Sequence, residues 1–215
     1  MLTITTEKQN YFLYNNQTTH IHHGFVRIGN GIVVWEEGNL RFEFSARWEV
    51  VKLDQHVQYR QGIEKLDGTK AVDFVGLFDQ RDLYFIEVKD FRGHRIENKQ
   101  RLRSGELAIE MGQKVRDSLA CLVAGCRATT NENLWQPLAQ RVVRKDTLIR
   151  VVLWLEQDLP AQQLQRAQKA QDVIFLKQVK AKVGWLTNRV AVVALNTITN
   201  QLPDVQIYNL PTQKL

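Results

Sequence analysis

The stretch KAVDFVGLFDQRDLYFIEVKDFRG, Lys70 to Gly93, limits what this chain can fold into more than any other. It reads as two apolar strands joined by a polar turn, and strands this apolar go into a core. Yet they carry Asp73, Glu87 and Lys89 among Val, Phe, Ile and Leu. Buried charge is costly unless it is paired or binds a metal. Either the strands are less buried than they look, or the charges do chemistry.

Residues two apart on a strand point the same way. Glu87 and Lys89 therefore share a face with Phe85 and Leu83, and Asp73 shares its face with Val75 and Leu77. Whether Asp73 meets Glu87 depends on register. A two- or four-residue loop centred on Gln80-Arg81 sets Asp73 opposite Val88, facing away from Glu87. A three-residue loop or a bulge sets it opposite Glu87 or Lys89. With an odd loop, two carboxylates and a backbone carbonyl converge. Hard oxygen ligands suit Mg²⁺ or Mn²⁺, which polarises a phosphoryl oxygen and lowers the pKa of a bound water. Lys89 can orient that water or stabilise developing negative charge. The plainer alternative is a Glu87–Lys89 ion pair with Asp73 merely at a strand start.

Upstream, TITTEKQNYFLY, HGFVRIG, GIVVWEEG and LRFEFSARW predict a β-rich segment over residues 1–47, punctuated by Asn-Asn and Gly-Asn-Gly turns. His20, His22 and His23 cluster there; with no carboxylate nearby they read as exposed loop histidines rather than a metal pair. Asp54 stands where a helix N-cap would, before QHVQYRQGIEKL, and Gly68 ends that unit. A basic connection follows the charged strand, and a long helix is expected from Ser104. Its stripe is Leu107, Met111, Val115, Leu119, Leu122 and Cys126, with Gln113, Lys114 and Arg116 on one flank. A helix around NENLWQPLAQRVV, the strand LIRVVLWLEQ, a helix within Ala161 to Leu186 and the strand RVAVVALN complete the order. The tail after Pro203 is expected to be weakly ordered. Alternating strands and helices around an apolar sheet predict an α/β layered fold. One compact domain is expected, with 1–47 as a β-rich extension and 48–215 as its core.

At 44% hydrophobic and 24% charged residues the composition is that of an ordinary globular protein. The start lacks a signal-peptide pattern, and the longest apolar run, VAVVAL, is too short to span a bilayer. Cys121 and Cys126 match no CxxC motif or disulfide framework, which fits a reducing cytoplasm. The net charge of +6 is uneven. Between Lys89 and Arg103, Lys89, Arg92, Arg95, Lys99, Arg101 and Arg103 face only Asp90 and Glu97, an excess that suits a polyanion or a solvated loop.

KAVDF followed by LYFIEVKDFRG resembles the signature of the PD-(D/E)XK nuclease superfamily, with its restriction-endonuclease-like fold. The Pro of that name is absent, since Val72 precedes Asp73. WEVVKLDQHVQYR, with Lys52, Asp54, Tyr59 and Arg60, and EMGQKVRDSLACL resemble segments of a bacterial family with this core. The resemblance spans about Trp48 to Cys126. It implies a central mixed sheet flanked by helices, Asp73 and Glu87 as Mg²⁺ (or Mn²⁺) ligands, the Val88 carbonyl as a third, and Lys89 as the residue orienting the base. Asp54 is the candidate extra acid, with Glu49 behind it. Arg92, Arg95, Lys99, Arg101, Arg103, Gln113 and Lys114 are the candidates for contacting nucleic acid. The implied activity is metal-dependent hydrolysis of phosphodiesters, most simply by a DNA endonuclease in bacterial defence, repair or mobile-element processing, acting as a homodimer or with a partner. A nuclease-like binding subunit that needs a partner for activity, and a structural protein with an incidental acidic hairpin, are the competing readings.

Overall fold

The computed structural model describes residues 11–14, 17–22, 25–28, 31–128, 132–158, 162, 165–196 and 201–211, without side chains for 11–30, 95–96, 132–134, 165 and 167. Its strands are β1 (Tyr11–Tyr14), β2 (Gln17–His22), β3 (Phe25–Ile28), β4 (Ile32–Glu37), β5 (Leu40–Phe44), β6 (Trp48–Lys52), β7 (Phe74–Phe78), β8 (Asp82–Asp90), β9 (Ile149–Glu156), β10 (Val190–Val193) and β11 (Val205–Asn209). Its helices are α1 (Val57–Gln61), α2 (Arg95–Ser104), α3 (Glu106–Ala128), α4 (Glu132–Val143) and α5 (Gln165–Val183). His23 and the side chains of His20 and His22 lie outside the described residues.

The central sheet is mixed and five-stranded, in the order β10-β9-β8-β7-β6. β6, β7 and β8 run antiparallel, whereas β9 and β10 join β8 in parallel. Parallel neighbours need crossover connections, and α2 to α4 and then α5 supply them. Leu83 and Phe85 of β8 pack with Leu107, Met111, Val115 and Leu122 of α3, Trp135 of α4 and Phe175 of α5. Leu119 and Cys126 close the predicted stripe as partly buried residues.

The opposite face of that sheet is covered by strands. β1 to β5 form an antiparallel sheet completed by β11. Leu40, Phe42 and Phe44 turn inward onto Trp48, Phe74, Ile86 and Trp154. Phe42 sits 5.5 Å from Phe74 and 5.8 Å from Trp154, ring centre to ring centre. Each fully buried ring of this kind contributes roughly 1.5–3 kcal/mol by burial alone. The molecule therefore stacks helices, a mixed sheet and an antiparallel sheet in three layers.

Several local expectations are corrected. The segment after Pro203 is not loose: β11 pairs with β5 from Val205↔Phe44 to Asn209↔Leu40, so residues 205–209 belong to the N-terminal sheet. The basic connection is helical, as α2, and Gly105 at φ 80° separates it from α3, which starts at Glu106 rather than Ser104. Asp54 is not an N-cap. It sits in a 3-10 turn (Leu53–Gln55), and the His56 side chain caps α1 by accepting from the Gln58 amide at 3.1 Å.

Candidate metal centre

The β7–β8 hairpin has the odd loop that sets Asp73 opposite Glu87. Phe78 pairs with Asp82, which leaves Asp79, Gln80 and Arg81 as a three-residue turn. Asp79 and Gln80 take φ of 50° and 54°, left-handed values that polar side chains tolerate. Register then runs to Phe74↔Ile86, and one step further sets Asp73 opposite Glu87. Both strand ends are fastened. The Asp73 carboxylate accepts from the Val88 amide at 2.6 Å, and its carbonyl accepts from the Leu53 amide at 2.8 Å. From α3, Ser118 Oγ accepts from the Val72 amide at 2.9 Å and Asp117 accepts from the Lys70 amide at 3.1 Å.

Asp73 and Glu87 are 5% and 1% exposed, so these charges are truly buried. Lys89 Nζ lies 2.7 Å and Lys114 Nζ 2.6 Å from Glu87 Oε1. Both ammonium groups pair with Oε1, whereas Oε2 is buried without a hydrogen bond. Lys114 also stands 4.0 Å from Asp73 Oδ1, and Glu110 receives Lys89 at 3.4 Å and Arg101 at 2.6 Å.

Negative charge predominates around Asp73. Burial, then the charge of Glu87, pushes its carboxyl up to about 8, against the opposing pull of Lys114 and the Val88 amide. Burial likewise raises Asp54. At Lys89 burial acts downward, but the charge of Glu87 and its close approach outweigh it, and the ammonium is raised. Burial would raise Glu110, yet Lys89, Lys70 and Arg101 hold it below the ordinary value.

The site gathers residues that sequence reasoning did not assign to it. Oxygens of Glu37, Asp54 and Asp73 all lie within 4.8 Å of one another. Glu37 comes from β4, where Val33 and Trp35 face the core; the alternation that buries them carries Glu37 inward too. That acid on an apolar face was the signal to read. Lys52 is 5% exposed and neutralises Glu37 at 2.5 Å. Lys114 is not on a solvated flank but inside the site, since it follows Leu107 by seven residues and Met111 by three, and so shares their side of α3.

The other candidates are scattered. Glu49 points outward, exposed. Val88 meets the site through its amide. Arg92 is bound to Asp90 at 2.6 and 2.7 Å and to Asn209 at 2.5 Å, and Arg101 to Glu106 and Glu110, so neither is free for phosphate. Lys99 and Arg103 are exposed and line an open groove with Gln100 and Ser104. Gln113 is half-buried, and the Arg95 side chain lies outside the described residues.

Two buried carboxylate oxygens without hydrogen bonds, Oε2 of Glu87 and Oδ1 of Asp54, fit a hard divalent cation with oxygen ligands. Among the described residues no helix is long and apolar enough to cross a membrane. No family model matches the chain, and no curated protein or solved structure is significantly similar to it.

Proposed function

We propose that the protein is a metal-dependent nuclease, a cytoplasmic hydrolase of phosphodiester bonds in DNA, built on a restriction-endonuclease-like core. The observation that carries this reading is the juxtaposition of Asp73 and Glu87 across a three-residue hairpin, with Lys89 on the same face and Glu87 2.7 Å from its ammonium. A bound Mg²⁺ or Mn²⁺ would supply Lewis-acid polarisation of the scissile phosphate. Asp73 and Glu87 would hold it, with Asp54 alongside. Lys89, kept protonated by Glu87, would set positive charge beside the phosphate oxygens as negative charge develops on them, and would donate a hydrogen bond that orients the attacking water. Lys99 and Arg103 receive the flanking backbone.

The test is cleavage of supercoiled plasmid, linear duplex, single-stranded DNA and RNA with Mg²⁺, Mn²⁺ or EDTA, wild type beside Lys89→Ala and Glu87→Ala. Cleavage confined to metal-containing wild type supports the reading, and the substrate panel identifies the preferred nucleic acid. Val173 and Ile174 on α5 and Trp185 just after it are more than half exposed, and they favour a second reading in which a partner subunit completes the enzyme. DNA binding without cleavage, by well-folded protein, would select that one.

A further inference from the structure

We infer that the outward face of α5, presenting Arg166, Lys169, Lys177 and Lys180, is a nucleic-acid interface that takes the phosphate backbone to one side of the candidate metal centre. This rests on the reading above that the substrate is a nucleic acid, and it adds an interface outside the basic segment Lys89 to Arg103.

Between Gln165 and Val183 stand the cations Arg166, Lys169, Lys177, Lys180 and Lys182, against the single carboxylate of Asp172. Positions 166, 169, 173, 177 and 180 follow one another by three or four residues, so they line one face of the helix. All but Val173 are cations, and the line is about 21 Å long at 1.5 Å per residue. Another face is the one the core uses, through Phe175, Val179 and Val183. The four cations of the line are exposed, and among the described residues none is held in an ion pair. Asp172 lies off the line, where Gln168 donates to it at 2.9 Å. Arg92 and Arg101 spend their charge on carboxylates of the fold, whereas these four do not.

The core does not account for the first half of α5. Before Phe175, no described side chain of the helix is buried. The topology carries that half to the end of the mixed sheet where the carboxylates lie. β9 runs beside β8 with Lys89↔Leu155 and Asp90↔Glu156, and the chain enters α5 from that end. It then returns to the start of β9, where Thr187 Oγ1 donates to the Ile149 carbonyl at 2.7 Å. Arg166 and Lys169 therefore belong to the end of the sheet that holds Glu87 and Lys89. The middle of α5 meets the end of α2, since a Cβ on Gly105 would stand 3.7 Å from the Gln178 side chain. The line is thus on the helix next to the one that carries Lys99 and Arg103. Regularly spaced cations without partners suit a regularly charged backbone, which gains affinity by releasing its condensed counterions.

The experiment is fluorescence-anisotropy titration of a labelled DNA duplex with the full chain in EDTA, over a series of salt concentrations, for wild type, Lys169→Gln/Lys177→Gln and Lys65→Gln/Lys145→Gln. Lys65 and Lys145 are exposed elsewhere on the chain, so the control removes the same net charge. Glutamine matches lysine in helix propensity, and melting temperatures equal to wild type establish that both variants fold. Wild type should bind. The α5 variant should bind about tenfold more weakly at low salt and lose about 2 from the slope of log affinity against log salt, and the control should keep the wild-type slope. An unchanged slope in the α5 variant, or an equal loss in the control, overturns the inference; α5 is then left to the partner subunit of the second reading above, and the nuclease reading stands. A slope lost on α5 alone, with no metal-dependent cleavage by wild type, sustains the interface and removes the nuclease. If wild type binds no duplex, the inference falls, and the plasmid assay above decides the nuclease reading separately.

Discussion

Lys52 Nζ lies 2.5 Å from Glu37 Oε2 and donates to the carbonyl of Glu36 at 2.8 Å, so one buried ammonium joins the two sheets beside the candidate metal centre. Lys52→Met keeps most of the side chain's length and removes its charge. It leaves a carbonyl without its donor and Glu37 without its countercharge next to Asp54 and Asp73. We expect a loss of about 1–3 kcal/mol in chelator, read as a melting temperature lower by several degrees, with Mn²⁺ restoring part of it. A melting temperature equal to wild type in EDTA would show that the pair contributes nothing.

Asp73 gives a pH dependence with a definite sign. Its folded carboxyl holds a proton up to about pH 8, against 3.8 for an ordinary aspartate, because burial and Glu87 disfavour its charge. Between those values the folded state binds more protons than the unfolded state, so this group's contribution to stability is fully present below pH 4 and is lost as pH rises to 8. Glu110 and Asp90, whose values are lowered, act in the opposite direction and only in the acid range. Asp73→Asn preserves an acceptor for the Val88 amide and has no charge to bury. In EDTA at pH 8 it should melt several degrees above wild type, with a flatter pH profile and no response to Mn²⁺. A variant that melts below wild type at every pH would contradict the assignment.

The hairpin was readable because a two-residue period and a loop length determine register, and both can be counted in KAVDFVGLFDQRDLYFIEVKD. What sequence patterning left undecided was which loop length the turn adopts, and Asp79 and Gln80 settle it by taking left-handed backbone. Glu37 was not read as part of the site, since it lies 36 residues before Asp73 and only the packing of one sheet on another brings them together. β11 escaped notice because VQIYN is only five residues long, and it forms a strand by pairing with the edge that β5 offers. Lys114 was misplaced for a different reason. A charge beside an apolar stripe is normally solvated, and here two buried carboxylates draw it in.

Two ammonium groups flank Glu87 at nearly equal distance, and their roles separate by position. Lys114 alone also approaches Asp73, at 4.0 Å, and thus stands between the two carboxylates that would hold the cation. On the metal-dependent reading it would oppose metal entry, so Lys114→Met should tighten Mn²⁺ binding several-fold, about 1 kcal/mol of relieved repulsion. Lys89→Met should leave Mn²⁺ binding within a few-fold of wild type and lower the cleavage rate by at least two orders of magnitude. Calorimetry beside single-turnover cleavage distinguishes them, and weaker Mn²⁺ binding by Lys114→Met would reverse the assignment.

The basic segment divides into cations that fasten the fold and cations exposed on α2. Arg92 is bound by both oxygens of Asp90, and Arg101 bridges Glu106 and Glu110; Lys99 and Arg103 project from α2 into the groove they line. Each phosphate neutralised by a protein cation steepens the fall of log affinity with log salt by about 0.9 on a duplex. In duplex-binding titrations from low to moderate salt, the double variant Lys99→Glu/Arg103→Glu should therefore bind more weakly and lose roughly 2 from that slope. Arg92→Gln and Arg101→Gln should keep the wild-type slope and lose thermal stability instead, since each leaves a half-buried carboxylate without its main partner. If the groove variant keeps the wild-type slope, the nucleic acid does not cross α2, and the path to Asp73 and Glu87 must approach from another side.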